Sequence, residues 1–305
     1  MIIAKRKKRT KYGWEGVLGV IFAITPVLGF VIFGLAPMIL AVSMSFMNVP
    51  GYMLYRGTFA GLENYRRIFE SPQLGRSIWV TLINGITMPI SLGLALIVAN
   101  FLNRNKIGSK VFRTIFFIPF VCSAVAVAMM WRWMFNYHFG IVNGIIANFG
   151  GNRINWLGNP DYITWTMVIS GVWGGMAFGI ILFSAALNNV PKAYYEAAKI
   201  DGAGSIRQFF NITIPGISPT MFFLVTMGII GMLQDFTRFY VMLGLDAGNN
   251  AGLTVVFWLY RMAFADTFYY GVAMASALSI VLGIGIIIIT RINFFLSKFW
   301  VHYES

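Results

Sequence analysis

The chain alternates long apolar runs with shorter polar segments, and the runs are long enough to cross a bilayer. Six are read from the pattern, over 17–46, 78–102, 115–135, 163–187, 217–243 and 268–290. Roughly 20 mainly apolar residues in a helix span about 30 Å of hydrocarbon. In lipid only a helix or a closed barrel satisfies its own backbone hydrogen bonds. The expected fold is all-α and integral to the membrane, with six transmembrane helices. Pro26 and Pro37 in the first run should bend or interrupt its helix, and Pro119 lies inside the third run.

The polar segments are less uniform. Within 47–77, the stretch Gly61–Phe69 fits either a short amphipathic helix on the outer surface or a plain loop. Residues 103–114 form a basic connector with Arg104, Lys106, Lys110 and Arg113. Trp131-Arg132-Trp133 closes the third run as an interfacial anchor would. Gly- and Asn-rich residues fill 136–161, and 244–267 is expected to be a loop. The chain divides into a basic N-terminus (1–16), a six-span domain (17–290) that includes a polar loop at 188–216, and a tail (291–305).

Composition agrees with this division. Hydrophobic residues make up 58% of the 305 and charged residues only 11%, against about 25% charged in ordinary soluble domains. The net charge of +13 does not point to nucleic acid, because Lys and Arg sit at the edges of apolar runs. Fifteen of the 23 lie in the N-terminus, the connector, the 188–216 loop and the tail. Positive-inside reasoning puts both termini and that loop in the cytoplasm of a multi-pass protein of the cell membrane. The run at 17–46 is too long for a signal core and is expected to be retained. Cys122, the single cysteine, cannot form an internal disulfide. Gly108-Ser109-Lys110 lacks the preceding glycine of a phosphate loop, so no ATP site is expected on this chain. No His-Glu-x-x-His or Cys-x-x-Cys pattern occurs, and His138 and His302 are far apart. No catalytic, cofactor or metal site is expected.

The polar stretch Tyr194–Pro215 is too patterned for a simple turn. Pro191 suits a first helical turn, and 193–200 holds good helix formers. Gly202 can end that helix in the left-handed conformation, Ser205 can cap a second one through Asn211, and Pro215 should mark a break before the fifth run. Tyr194, Ala197 and Ala198 give a small, partly apolar surface flanked by Glu196 and Lys199. Such a pair of helices could dock a partner, or could be a re-entrant cap packed on its own bundle.

The spacing here resembles the EAA motif of membrane subunits of binding-protein-dependent ABC importers: Glu-Ala-Ala, three residues, Gly, nine residues, Ile, one residue, Leu-Pro. Glu196-Ala197-Ala198, Gly202, Ile212 and Ile214-Pro215 are in register, with Ile214 in place of Leu. Asp201 before the glycine is similar to the form in carbohydrate importers such as the maltose system. The resemblance implies a coupling helix that docks into a separate ATPase, with Glu196 and Asp201 making polar contacts, Ala197 and Ala198 packing, and Gly202 as the corner. It also implies ATP and Mg on two partner ATPase subunits, a second permease forming a heterodimer, an extracytoplasmic binding protein, and a carbohydrate of oligosaccharide type as cargo.

The fifth run holds the least lipid-compatible residues, Gln234, Asp235, Arg238 and Tyr240. Asp235 and Arg238, three apart, can meet on one helix face. They could form a self-satisfied ion pair or line a path for a polyhydroxylated solute, and the resemblance favours the path. Trp131, Trp173 and Tyr240 are candidates for stacking on a sugar face, or else for anchoring and packing. Gly271, Ala273, Ala275 and Ala277 in the sixth run suggest close packing against the partner permease. The loop Asp246–Asn250 departs from the Gly-Gly-Pro of many sugar permeases. The alternatives are a membrane scaffold and an ion-gradient-driven secondary transporter, which would want ionisable residues in several runs.

Overall fold

The structure is a computed structural model describing residues 14–51, 53, 56–104, 109–265 and 269–302; Lys5–Lys11, Lys106 and Phe268 lie outside the described residues. Helix α1 (Trp14–Phe30) passes through a π-turn (Val31–Leu35) into α2 (Ala36–Ser45). The π-turn comes just before Pro37, whose ring crowds the carbonyl four residues back and which has no N–H to give. A two-residue ladder pairs β1 (Met47–Asn48) with β2 (Thr58–Phe59), antiparallel. The amphipathic stretch is a helix, α3 (Glu63–Glu70). Its buried Asn64 donates to the carbonyls of Ser45 (3.1 Å) and Met47 (2.8 Å), fastening it to the end of α2.

Next come α4 (Pro72–Asn84), α5 (Thr87–Arg104), α6 (Ser109–Val121), α7 (Ala124–Met134), α8 (Ile141–Asn148) and α9 (Pro160–Asn189). Then follow α10 (Lys192–Ile200), α11 (Ser205–Gln208), α12 (Ile214–Leu233), α13 (Thr237–Leu243), α14 (Val255–Phe264) and α15 (Gly271–Ser297). Among the described residues, five helical stretches are long and apolar enough to cross a membrane: Gly16–Ser45, Pro72–Asn103, Pro160–Asn189, Ser205–Leu233 and Gly271–Ser297.

Three of the expected spans are not single helices, the second being divided by the turn at Gly85–Ile86 between α4 and α5. The third breaks at Cys122–Ser123, where Ser123 takes ψ 137°, one turn after Pro119 has removed a ladder donor. The fifth breaks at Gln234–Phe236, between the end of α12 and the start of α13. Helix α14 rises inside the expected loop at 244–267. The Thr254 hydroxyl accepts from Phe257 N–H (3.3 Å), and Val255 N–H donates to Thr81 Oγ1 (3.0 Å), anchoring α14 to α4.

Helices α5 and α9 form the closest seam. Gly171, Gly175 and Gly179 recur every four residues on α9 and face Thr87, Ser91 and Ala95, which recur likewise on α5. A Cβ on Gly175 would meet Ser91 Oγ at 2.9 Å, and one on Gly179 would meet Ala95 Cβ at 2.9 Å. Small residues let backbones approach where lipid offers no hydrophobic drive. The same device seats α12 on α4 and α5: a Cβ on Gly228 would lie 2.5 Å from Met88 Cγ, and one on Gly85 3.0 Å from Met232 Sδ. Ala273, Ala275 and Ala277 are buried within this chain, where α15 packs on α2, α3 and α14. They therefore serve the subunit's own core, contrary to the expected partner contact.

Apolar packing gathers in two clusters. One includes Ile163, Met167, Phe239, Phe257 and Leu278; the other includes Ala99, Ile180, Phe183, Ile217 and Leu224. Helix α9 enters the first with its opening turns and the second with its closing turns. Its middle third lies between them. Large side chains such as Phe22, Phe33, Ile97 and Ile287 face outward, as a hydrocarbon solvent permits.

The seam yields opposite signs for one substitution. Gly→Ala in a helix gains up to about 1 kcal/mol of intrinsic propensity, while overpacking costs about 1–3 kcal/mol. A methyl added at Gly93 on α5 would meet nothing within 4 Å, whereas one added at Gly179 would meet Ala95. Gly93→Ala should hold or raise the thermal midpoint of the solubilised protein, and Gly179→Ala should lower it. Equal shifts would show that the seam is not tight.

Candidate functional site

A cavity of about 590 Å³ opens at the level where the helices are interrupted. Asn84 and Thr87 line it from either side of the α4–α5 junction, Cys122 and Ala124 from the α6–α7 break, and Gln234, Asp235 and Phe236 from the α12–α13 break. Helix α9 contributes residues between Ser170 and Gly179, the middle of its 30 residues. The cavity therefore sits midway along the bundle, walled by irregular backbone that membrane proteins tolerate only away from lipid.

Arg238 organises one wall. Nε donates to Asp235 Oδ2 (3.0 Å) and Nη2 donates to the same oxygen. Nη2 also donates to Asn84 Oδ1 (3.0 Å), and Nη1 to Ser170 Oγ (3.1 Å) and the Met167 carbonyl. These bonds use all five N–H groups of a guanidinium. They tie α13 to α4 and α9, and the guanidinium also lies 5.2 Å from the Phe239 ring. The tie explains Gly171: a Cβ there would sit 2.5 Å from Arg238 Nη1. The i, i+3 pairing read from the sequence is present, although the expected continuous helix is not. Phe236 and Thr237 open a new helix between the break and Arg238.

Of the residues singled out for a solute path, Gln234, Asp235, Arg238 and Trp131 line the cavity. Trp131 is only 8% exposed, stacked on Phe135 with ring centres 5.4 Å apart, so it is a cavity wall rather than an interfacial anchor. Its Nε1–H is buried and has no hydrogen-bond partner among the described residues. Trp173 stands behind Trp131, edge to face at 5.7 Å, and is not part of the lining. Tyr240 belongs to an aromatic cluster with Phe236, Phe257 and Tyr260, also away from the lining. The sequence reading missed Asn84, Thr87, Ser91, Ser170 and the α9 glycines. The signal that could have found them is the small or polar residue every three to four positions on two otherwise apolar runs.

The second site is the handle, residues 192–216, at the far end of α9. Helix α10 ends in a glycine motif: Gly202 has φ +74°, Ala203 N–H donates to Ala198 O (2.8 Å), and Gly202 N–H donates to Lys199 O (3.1 Å). Gly204, not Ser205, caps α11, and Gln208 Nε2 closes the corner on Ala203 O (2.7 Å). Pro215 does not break the chain. A π-turn (Phe209–Thr213) absorbs the missing N–H, and the helix runs on from Ser205 to Leu233. Tyr195 Oη and Thr213 Oγ1, 3.0 Å apart, fasten α10 to this long helix.

Helix α10 buries none of its residues fully, although Tyr195 packs in part against the second apolar cluster. Glu196, Ala197, Asp201 and Gly202 are exposed. Ala197, Ala198, Asp201, Ile212 and Pro215 line a groove of about 440 Å³ together with Tyr194 and His302. Ile200 and Ile206 flank the corner at 88% and 77% exposure. A polar helix edged by bare isoleucines presents a surface suited to a protein partner.

Residues 91–298, which include the cavity walls from Ser91 onward and the whole handle, match the family described as binding-protein-dependent transport system inner membrane component. The chain is 33% identical over 307 residues to the probable ABC transporter permease protein YesP of Bacillus subtilis, covering 98% of this chain and 96% of that one. It is 32% identical over 281 residues to the arabinooligosaccharides transport system permease protein AraP of the same organism, covering 91% and 87%. The crystal structure of a bacterial ABC transporter involved in the import of the acidic polysaccharide alginate has a TM-score of 0.79 over 93% of this chain and 96% of that one, at 22% identity. That last likeness speaks for the fold alone. The chain belongs to the family of inner membrane components of binding-protein-dependent transport systems, as a multi-pass permease subunit and not an enzyme.

Proposed function

We propose that this chain forms half of the translocation path of an ATP-driven importer for a carbohydrate of oligosaccharide type. The observation that carries the reading is the handle: an exposed helix, ended by a left-handed glycine, with every motif position in register. In this reading α10 is the coupling helix. Glu196 and Asp201 make polar contacts with a partner ATPase, Ala197 and Ala198 pack into its cleft, Gly202 sets the corner, and Ile212 and Pro215 support the groove. ATP and Mg act on two such ATPase subunits. A second permease, most simply a different chain, supplies the other half of the path, and an extracytoplasmic binding protein delivers the solute.

The broken pair α6–α7 serves as the sixth crossing. Its 13 and 11 residues rise about 36 Å at 1.5 Å each, enough for about 30 Å of hydrocarbon. Six crossings put both termini and the handle on one side, and the basic residues make that side the cytoplasm. Closure of the ATPase pair supplies the differential free energy that shifts the bundle between inward- and outward-open states. An ion-driven transporter is less well supported, since the charged residues of the cavity, Asp235 and Arg238, are bonded to each other.

Two measurements test this reading. Gly202 has open space around it, so a side chain there strains only the left-handed backbone, at about 1–2 kcal/mol. Gly202→Val should leave the protein inserted and folded, lose co-purification of the ATPase, and cut uptake at least ten-fold. Unchanged uptake would sink the coupling role. Cys122 is exposed and lines the cavity. A charged methanethiosulfonate should block uptake by the assembled importer, and Cys122→Ser should be insensitive. Full uptake by the labelled protein would remove the cavity from the path.

A further inference from the structure

We propose that the cavity admits an uncharged, hydroxyl-rich glycan segment and turns away acidic or phosphorylated ones. The inference rests on the reading that this cavity carries the solute, and it narrows the class of solute. Its lining contains two formal charges, Asp235 and Arg238, which cancel. Arg238 lies at the wall of a solute cavity and would ordinarily be read as a ligand for carboxylate or phosphate. Here its five N–H groups are all committed to Asp235, Asn84, Ser170 and Met167. An anion would find no guanidinium donor without unfastening α13 from α4 and α9.

The neutral groups point the same way. Thr87 Oγ1 donates to Asn84 Oδ1 (3.4 Å), Ser91 Oγ to the Met88 carbonyl (2.9 Å), and Ser170 Oγ to the Met167 carbonyl (3.0 Å). Each hydroxyl proton of these three is thus directed into the protein, and the oxygens of Thr87 and Ser91 are left as acceptors. Arg238 takes Asp235 through Oδ2, so Oδ1 is a further acceptor. The lining also offers the amide of Gln234, which can give as well as take, and the first-turn N–H groups of α7 beside Ala124. A wall with acceptors at Thr87, Ser91 and Asp235 Oδ1, beside donors at Gln234, Trp131 Nε1 and the start of α7, complements sugar hydroxyls, each of which both gives and takes a hydrogen bond. It opposes carboxylates and phosphates, which bring no proton and carry the same sign as Asp235. Apolar surface from Phe120, Phe178 and Trp131 supplies area for ring faces.

The test uses the assembled importer in lipid nanodiscs without its binding protein, and reads the rate at which a methanethiosulfonate labels Cys122. Arabinotriose, a neutral probe, should slow labelling in a saturable way. Trigalacturonate, of equal length but acidic, should not do so even at ten-fold higher concentration. Met227→Lys adds a charge to the lining away from the Arg238 tie, at a residue already half exposed. In that variant trigalacturonate should protect Cys122 at a concentration at least ten-fold lower than in the parent. Equal or stronger protection by trigalacturonate in the parent, or no gain in Met227→Lys, overturns the proposed selectivity while leaving the cavity in the path. If neither probe protects Cys122 while uptake of arabinotriose continues, the cavity reading fails, and this inference fails with it.

Discussion

The close approach of α5 and α9 is the constraint on which the rest of the bundle depends. In lipid, apolar side chains gain little by meeting one another, so helices associate through packing and hydrogen bonds. Three glycines on α9, set against Thr87, Ser91 and Ala95, let two backbones come together over more than two turns. That contact keeps α9 unbroken for 30 residues. Every other wall of the cavity is interrupted at the same depth. The continuous seam is what makes those interruptions tolerable, because one wall stays rigid while the others bend.

The interruptions and the handle are mechanically connected. From Ser205 to Leu233 the chain is one helical rod, roughly 43 Å long at 1.5 Å per residue. One end meets the corner at Gly202. The other ends at Gln234, on the cavity wall. The π-turn ahead of Pro215 is the reason the rod is continuous, and the Tyr195–Thr213 contact ties α10 to it. A pull on α10 would therefore arrive at the α12–α13 break, where Asp235 and Arg238 hold three helices together. The α6–α7 break at Cys122–Ser123 and the α4–α5 turn at Gly85–Ile86 adjoin the same cavity.

The sequence carried these features unevenly. The helix stop at Gly202 was legible because only a left-handed residue fits there, and the structure gives it φ +74°. The amphipathic pattern of Glu63–Glu70 was legible, although the buried Asn64 that fixes the helix was not. Hydropathy found the third and fifth runs and could not see that they are broken, because Cys122, Ser123 and Phe236 barely change a window average. It also missed α14, whose ten residues are too few for a span and which is held by Thr81 from 174 positions away. Pro215 misled for a local reason: a missing N–H forbids a regular ladder but not a π-turn. The small residues of the sixth run were read correctly as close packing, but which neighbour they meet is a tertiary fact.

Arg238 shows how far residue type falls short of role. An arginine at the wall of a solute cavity has a strong chemical claim to be the ligand for an acidic group. Occupancy of its donors decides otherwise. The Asp235–Arg238 pair is partly buried, and the partners of Arg238 also include two side chains and a carbonyl on neighbouring helices. A solute that captured the guanidinium would have to replace all of those bonds or loosen the wall that holds it. The glycine at 171 leaves room for this side chain to pass, so the tie is built into the seam itself. The same residue therefore sets the integrity of the bundle and the charge of its cavity, and selectivity follows from what Arg238 is already doing.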